Sequence, residues 1–124
     1  MFIIHMTYSV SKKPWFALTI VREEDFYLPK WYDYYSRFLN DEDIYIIHHK
    51  TDDPDTCLDF LKDKKVNIIP EYNLVFSTIW LNGTVKKHFK NILEGYQAGL
   101  FGEVDEILFT DPNRCRDLGV YMDA

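Results

Sequence analysis

The sequence predicts an α/β domain, a three-layer sandwich in which a mostly parallel sheet carries helices on both faces. Short apolar runs of strand length alternate along the chain with stretches whose apolar residues follow a helical period. This alternation is the pattern of crossovers that join parallel strands. With 124 residues, the chain is long enough for one domain and too short for two. We therefore treat residues 1–124 as a single α/β domain, with a core over residues 14–112 and a tail over residues 113–124.

The first strand and helix are predicted from residues 14–39. Residues 15–21 form a nearly continuous apolar run that stops at the charged residues 22–25. The absence of polar alternation indicates a strand buried on both faces. From Leu28 to Leu39, apolar residues then recur at steps of three and four, which is typical of an amphipathic helix. Acids before this segment suit the positive end of a helix dipole.

The same order continues in the middle of the chain. Residues 44–47 form a second short apolar run, and residues 66–70 form a third. Between them, Asp53 can cap and Pro54 can open a helix that extends to about Lys62. The aromatic-rich residues 71–82 fit a loop, a hairpin or a lid, and the pattern does not choose among these.

The last predicted helix and strand contain the acids of greatest interest. The clearest helical stripe comprises Val85, Phe89, Ile92, Leu93, Tyr96 and Leu100. Residues 103–109 follow it and predict a final strand beside residues 15–21, with Glu103 and Asp105 on one face. Buried carboxylates are costly unless they are compensated, and a divalent cation with a nucleotide diphosphate can compensate them. An edge strand whose acids face water is the alternative.

Composition and missing motifs exclude several classes of function. A net charge of −6 opposes general binding to a nucleic-acid backbone, and no apolar run is long enough for an integral membrane segment. Residues 1–6 lack the features of a signal peptide, so we expect a cytoplasmic protein. Cys57 and Cys115 form no CxxC pair. There is no G-x-G-x-x-G, P-loop or G-x-S-x-G motif.

The polar residues that follow the predicted strands should share one location. Parallel strands present their carboxyl ends at the same edge of a sheet, where such sheets bind ligands. Residues 22–25, residues 48–53 and the acids Asp105, Glu106 and Asp111 would meet there. His48 and His49 are neighbours on a strand and point to opposite faces, so they are poorly placed to hold one ion together.

Two segments resemble one enzyme family. Residues 16–31, FALTIVREEDFYLPKW, resemble the opening of family 2-like glycosyltransferases with the GT-A fold, where an apolar strand meets an Arg/Lys-Asn-Glu segment and a Leu-x-x-Trp helix. Residues 103–107, EVDEI, are similar to the Asp-x-Asp-Glu metal motif of those enzymes. The resemblance covers residues 16–111 and implies the nucleotide-diphospho-sugar-binding half of such a domain.

The resemblance implies a role for each matching residue. The end of the first strand and its acids would hold the nucleoside, and an acid after the second strand would contact the base or ribose. The acid-x-acid pair would hold Mn²⁺ or Mg²⁺ against the diphosphate. No catalytic base is implied. The residues concerned are Val21, Arg22, Glu24, Asp52 and Asp53 for the nucleotide, and Glu103 and Asp105 for the metal.

Two functions follow as alternatives. The first is a metal-dependent glycosyltransferase that moves a sugar from a nucleotide-diphosphate donor to an acceptor. The second is a non-catalytic, truncated module of the same fold that binds nucleotide or a protein partner. In the family, the acceptor site and catalytic base follow the metal motif, where this chain has only residues 113–124. A truncated domain would expose apolar surface, so we also expect a homo-oligomer.

Overall fold

The computed structural model describes residues 1–5, 12–110 and 117–123, and it shows an α/β fold with a mixed five-stranded sheet. Short 3-10 turns lie at Asp41–Asp43 and Asp59–Leu61. No helix in these ranges is long and apolar enough to span a bilayer. The elements in chain order are β1 (Phe2–His5), β2 (Lys13–Val21), α1 (Tyr27–Tyr35), β3 (Ile44–Lys50), β4 (Asn67–Tyr72), α2 (Thr78–Leu93), β5 (Tyr96–Phe101) and α3 (Leu118–Asp123).

The sheet has the order β1-β5-β2-β3-β4, which places β2 at its centre. β2 pairs in parallel with both β5 and β3, and β3 pairs in parallel with β4. β1 lies at one edge and runs antiparallel to β5, with Phe2 opposite Phe101. The predicted α/β class is therefore confirmed. The sheet is mixed rather than wholly parallel because of β1, a strand that the sequence pattern did not indicate.

Helices cover both faces of the sheet. On one face, Trp31 and Tyr35 of α1 and Met122 of α3 join the core cluster that contains Trp15 and Ala17 of β2. On the other face, Phe89 of α2 packs in the cluster that contains the intervening β2 residues Phe16 and Leu18. Alternate residues of β2 thus enter different cores. The prediction that residues 15–21 form a strand buried on both faces is confirmed.

The predicted boundary between the last helix and the last strand is wrong. Helix α2 ends at Leu93, and Tyr96–Phe101, assigned by the sequence pattern to the end of that helix, is the last strand. The spacing of four residues between Tyr96 and Leu100 fits a helix face and also fits the alternation of a strand. Residues 103–109 are not a strand. The N–H of Glu106 donates to the carbonyl of Glu103 at 2.9 Å, which closes a turn directly after β5.

The segment after β3 also differs from its prediction. Instead of a helix from Pro54 to Lys62, it forms an irregular loop with one 3-10 turn. The carboxylate of Asp55 accepts the backbone N–H groups of Glu23 and Cys57. These hydrogen bonds stabilise a loop in place of the predicted helix. Residues 71–82, for which the sequence pattern did not choose a structure, contain the end of β4 and the start of α2. Ser77 caps α2 by accepting the N–H of Trp80 at 3.1 Å.

Candidate functional site

A cavity of about 420 Å³ lies at the carboxyl ends of β2, β3 and β5, and we call it the strand-end cavity. The chain passes from β2 to β3 to β4 in one direction across the sheet, and β5 then lies on the other side of β2. A crevice opens where the order reverses, outside the carboxyl ends of the strands, and α/β sheets bind ligands at this point. The cavity is lined by Ile20, Val21, Arg22, Glu24, Tyr27, His49, Phe76, Leu81, Glu103, Val104 and Asp105.

Five of the seven site residues predicted from the sequence line this cavity. Val21, Arg22 and Glu24 enter from the end of β2, and Glu103 and Asp105 enter from the turn after β5. These two groups are about 80 residues apart in the sequence. They meet because β2 and β5 are parallel neighbours in the sheet.

Asp52 and Asp53 lie elsewhere. Both side chains are exposed on the loop after β3, and neither lines the strand-end cavity. The Asp52 carboxylate accepts the hydroxyl of Tyr72 at 2.5 Å. Asp111, another acid of the predicted cluster, is outside the described residues.

The acid pair after β5 is held by the turn and not by strand alternation. Glu106 fixes this turn twice, since its carboxylate also accepts the N–H of Glu103 at 3.1 Å. The side chains of Glu103 and Asp105 are exposed, whereas Val104 between them is 7% exposed and packs in the core. The core contact of Val104 therefore fixes the turn that presents both carboxylates to the cavity.

Glu24 brings a third carboxylate into the cavity. Burial raises the pKa of Glu24, and the negative charges of Asp105 and Asp25 raise it further. Repulsion between the carboxylates of Glu24 and Asp105 would be relieved by a cation between them. Oxygen ligands of this kind suit Mg²⁺ or Mn²⁺. Arg22 adds a positive charge to the same cavity, which suits an anionic ligand.

An aromatic wall closes the cavity on the side of β3. The ring of His49 is 4% exposed, and its Nε2 is hydrogen-bonded to the carbonyl of Asn73 at 2.8 Å. Its ring centroid lies 4.5 Å from that of Trp80 and 6.4 Å from that of Phe76. Trp80 packs against His49 and does not line the cavity, whereas Phe76 lines it and is 59% exposed. A flat ligand could stack on the exposed ring of Phe76.

Sequence reasoning missed Phe76 and Tyr27 as cavity residues, and it assigned His49 no part in binding the nucleotide. Residues 48–53 were expected at the shared strand ends, and the one role considered for His49 there was that of a metal ligand beside His48. His49 lies at the cavity because it is near the end of β3, the strand next to β2. Phe76 lies in the segment left open, so no strand end could be assigned to it.

A second polar cluster contacts the loop that follows β2 through the N–H of Glu23. The atoms of His48, Asp55 and Cys57 that could ligate a metal lie within 4.8 Å of one another, so this group could hold a metal ion. Hydrogen bonds already occupy the Asp55 carboxylate. It contacts His48 Nε2 at 3.0 Å and accepts the N–H groups of Glu23 and Cys57 at 2.8 and 2.9 Å.

These bonds govern the ionisation of the cluster. Burial alone would raise the pKa of Asp55, but the N–H groups of Cys57 and Glu23 and the His48 ring outweigh burial and hold that pKa well below its usual value. Burial, with the hydrogen bond to Asp55, raises the pKa of the Cys57 thiol to about 11. The cluster is therefore a carboxylate held by backbone and side-chain hydrogen bonds beside a protonated thiol.

Comparisons with known proteins add no assignment. No protein-family model matches this chain, and searches of curated proteins and of solved structures returned no match.

Proposed function

We propose that the chain binds a nucleotide-diphosphate sugar together with Mn²⁺ or Mg²⁺ in the strand-end cavity, as a GT-A-like glycosyltransferase would. One observation carries the proposal. Arg22 and Glu24 after β2 meet Glu103 and Asp105 after β5 in one cavity, at the point where the strand order reverses.

The charges of the cavity fit such a ligand. Asp105 and Glu103 would hold the cation, and Arg22 would face the diphosphate, whose charge attracts a guanidinium. The bound cation would supply Lewis-acid stabilisation of the nucleoside diphosphate as it leaves the sugar. Phe76, whose ring is exposed and packs against His49, offers a ring surface for the base.

Binding without turnover is the second candidate. The apolar side chains beside the cavity favour it, because Val75, Phe76 and Ile79 are 74%, 59% and 87% exposed. Contiguous exposed apolar residues are typical of surfaces that a partner protein covers. In this alternative the chain binds nucleotide or a protein partner and transfers no sugar.

Calorimetry with UDP tests the binding proposal. We expect UDP to bind in the presence of Mn²⁺ and to lose most of its affinity when the metal is chelated. Asp105→Asn should abolish the metal-dependent part because it removes a charged ligand. Asp63→Asn is the matched control, since Asp63 is an exposed acid before β4, at the opposite end of the sheet.

Equal affinity with and without metal would contradict the proposal, and so would an unchanged isotherm for Asp105→Asn. Release of free sugar from a UDP-sugar then separates the two candidates. Release that depends on Asp105 indicates an enzyme, whereas binding without release indicates the non-catalytic module.

A further inference from the structure

We propose that Asp55 is a positioning residue for the strand-end cavity, which it shapes by holding the backbone of Glu23 in a left-handed conformation. This inference rests on the proposed function for its ligand. Its structural part can be tested without any ligand.

Glu23 has an unusual backbone for its position. Its φ is 54°, and it is the one non-glycine residue with positive φ among those that the structure describes. Side chains with a Cβ atom rarely adopt this conformation unless surrounding contacts impose it. Its neighbours Arg22 and Glu24 both line the strand-end cavity, whereas Glu23 does not. The strained residue therefore lies at the centre of the segment that supplies the β2 side of the cavity.

Asp55 supplies the contact that imposes this conformation. Its carboxylate accepts the N–H of Glu23 at 2.8 Å, from a position 32 residues further along the chain. The Asp55 side chain is only 9% exposed, although Glu23 itself is exposed. A hydrogen bond to a charged acceptor is among the stronger ones in proteins.

The carboxylate is itself fixed from two sides. His48 at the end of β3 is hydrogen-bonded to the oxygen that accepts the Glu23 N–H, and the N–H of Cys57 donates to the other oxygen. Asp55 thereby ties the segment after β2 to β3. Because Asp55 does not line the cavity, it acts on a ligand only through the backbone of Glu23.

The first test is hydrogen exchange of the Glu23 amide, followed by NMR. In the wild-type protein we expect this amide to be protected, although Glu23 is in an exposed loop. In Asp55→Ala the protection should be lost. A Glu23 amide that exchanges freely in the wild type would overturn the proposal, and this result needs neither a variant nor a ligand.

The second test is rescue by glycine. Asp55→Ala should weaken the binding of UDP with Mn²⁺ by about tenfold or more, since displaced binding groups carry costs of this size. Glycine adopts positive φ without strain, so adding Glu23→Gly should restore a large part of the affinity. Glu23→Gly alone should bind like the wild type, because Glu23 does not line the cavity. Asp63→Ala is the control for loss of an acid.

The double variant also separates positioning from stability. It should regain affinity and yet unfold at a lower temperature than the wild type, because the bonds from His48 and Cys57 to Asp55 remain lost. If affinity stays low in a folded double variant, Asp55 does not act through Glu23 and the proposal fails. If Asp55→Ala does not fold, Asp55→Asn, which keeps one acceptor oxygen, takes its place in the same comparison.

Failure of the proposed function would look different. A wild-type protein that binds no UDP with Mn²⁺ would contradict the proposed function. The exchange of the Glu23 amide would still show whether Asp55 holds the segment.

Discussion

Replacing Gly99 by alanine should destabilise the fold, because the position has no room for a Cβ atom. Gly99 lies on β5 directly opposite Phe16 of β2. An added Cβ would overlap Cε1 and Cζ of the Phe16 ring and would come within 2.7 Å of Cζ of Phe89. Phe16 is 0% exposed and Phe89 is 2% exposed, so neither ring can move into solvent. The core around them would have to shift.

Overpacking of a core costs about 1–3 kcal/mol, and this contact belongs at the upper end because two buried rings are involved. Alanine also lowers the entropy of the unfolded chain, which returns up to about 1 kcal/mol. We therefore expect the free energy of unfolding to fall by about 2 kcal/mol. For a domain of this size the unfolding midpoint would drop by roughly 8 °C.

Urea unfolding of Gly99→Ala beside Gly83→Ala provides the measurement and its control. Gly83 is exposed inside α2, and a Cβ there would have no atom within 4 Å. Alanine should therefore raise the stability at this site by about 0.5–1 kcal/mol. If Gly99→Ala were as stable as the wild type, the pairing of β5 with β2 and the packing of Phe16 would be wrong.

Two further predictions concern ionisable groups. In a Cys115→Ser background, Cys57 should react with a thiol reagent at pH 8 only after unfolding, because it is buried and its pKa is raised to about 11; rapid labelling of the folded protein would contradict this. The hydrogen bond from His88 lowers the pKa of Glu71, and this effect is larger than the opposite effect of burial. The ionised Glu71 carboxylate therefore contributes stability at pH values above its pKa in the unfolded state, and this contribution is lost as pH falls through its lower pKa in the folded state. Glu71→Gln should consequently lose less stability than the wild type between about pH 5 and pH 3 in urea titrations, and parallel losses would count against the pairing.

The parts of the fold that the sequence predicts are those with a single periodicity. The run at residues 15–21 has no polar alternation, and a strand buried on both faces is the arrangement that fits it. The stripe from Leu28 to Leu39 fits a helix and not a strand, and α1 is found there but ends at Tyr35. Tyr96 and Leu100 are four residues apart, which fits both periods. Packing of Gly99 against Phe16 decides for the strand, and no local pattern contains that contact.

The sequence identified the acids of the candidate site, but not the turn and the hydrogen bonds that hold them in place. Glu103 and Asp105 were selected as carboxylates that would be buried in an apolar strand, whereas the structure exposes both side chains and has no strand at these positions. Their presentation by a turn depends on Glu106 and on burial of Val104, which the three-dimensional structure reveals. The hydrogen bond between Glu23 and Asp55 spans 32 residues, and no spacing rule anticipates it.

The most direct test of the proposed function is the position of Mn²⁺ in crystals grown with Mn²⁺ and UDP, located by its anomalous scattering. We predict one peak in the strand-end cavity, bound by the carboxylates of Asp105 and Glu103, with the diphosphate of UDP beside it. A peak at the cluster of His48, Asp55 and Cys57 with none in the cavity, or UDP bound outside the cavity, would contradict the account.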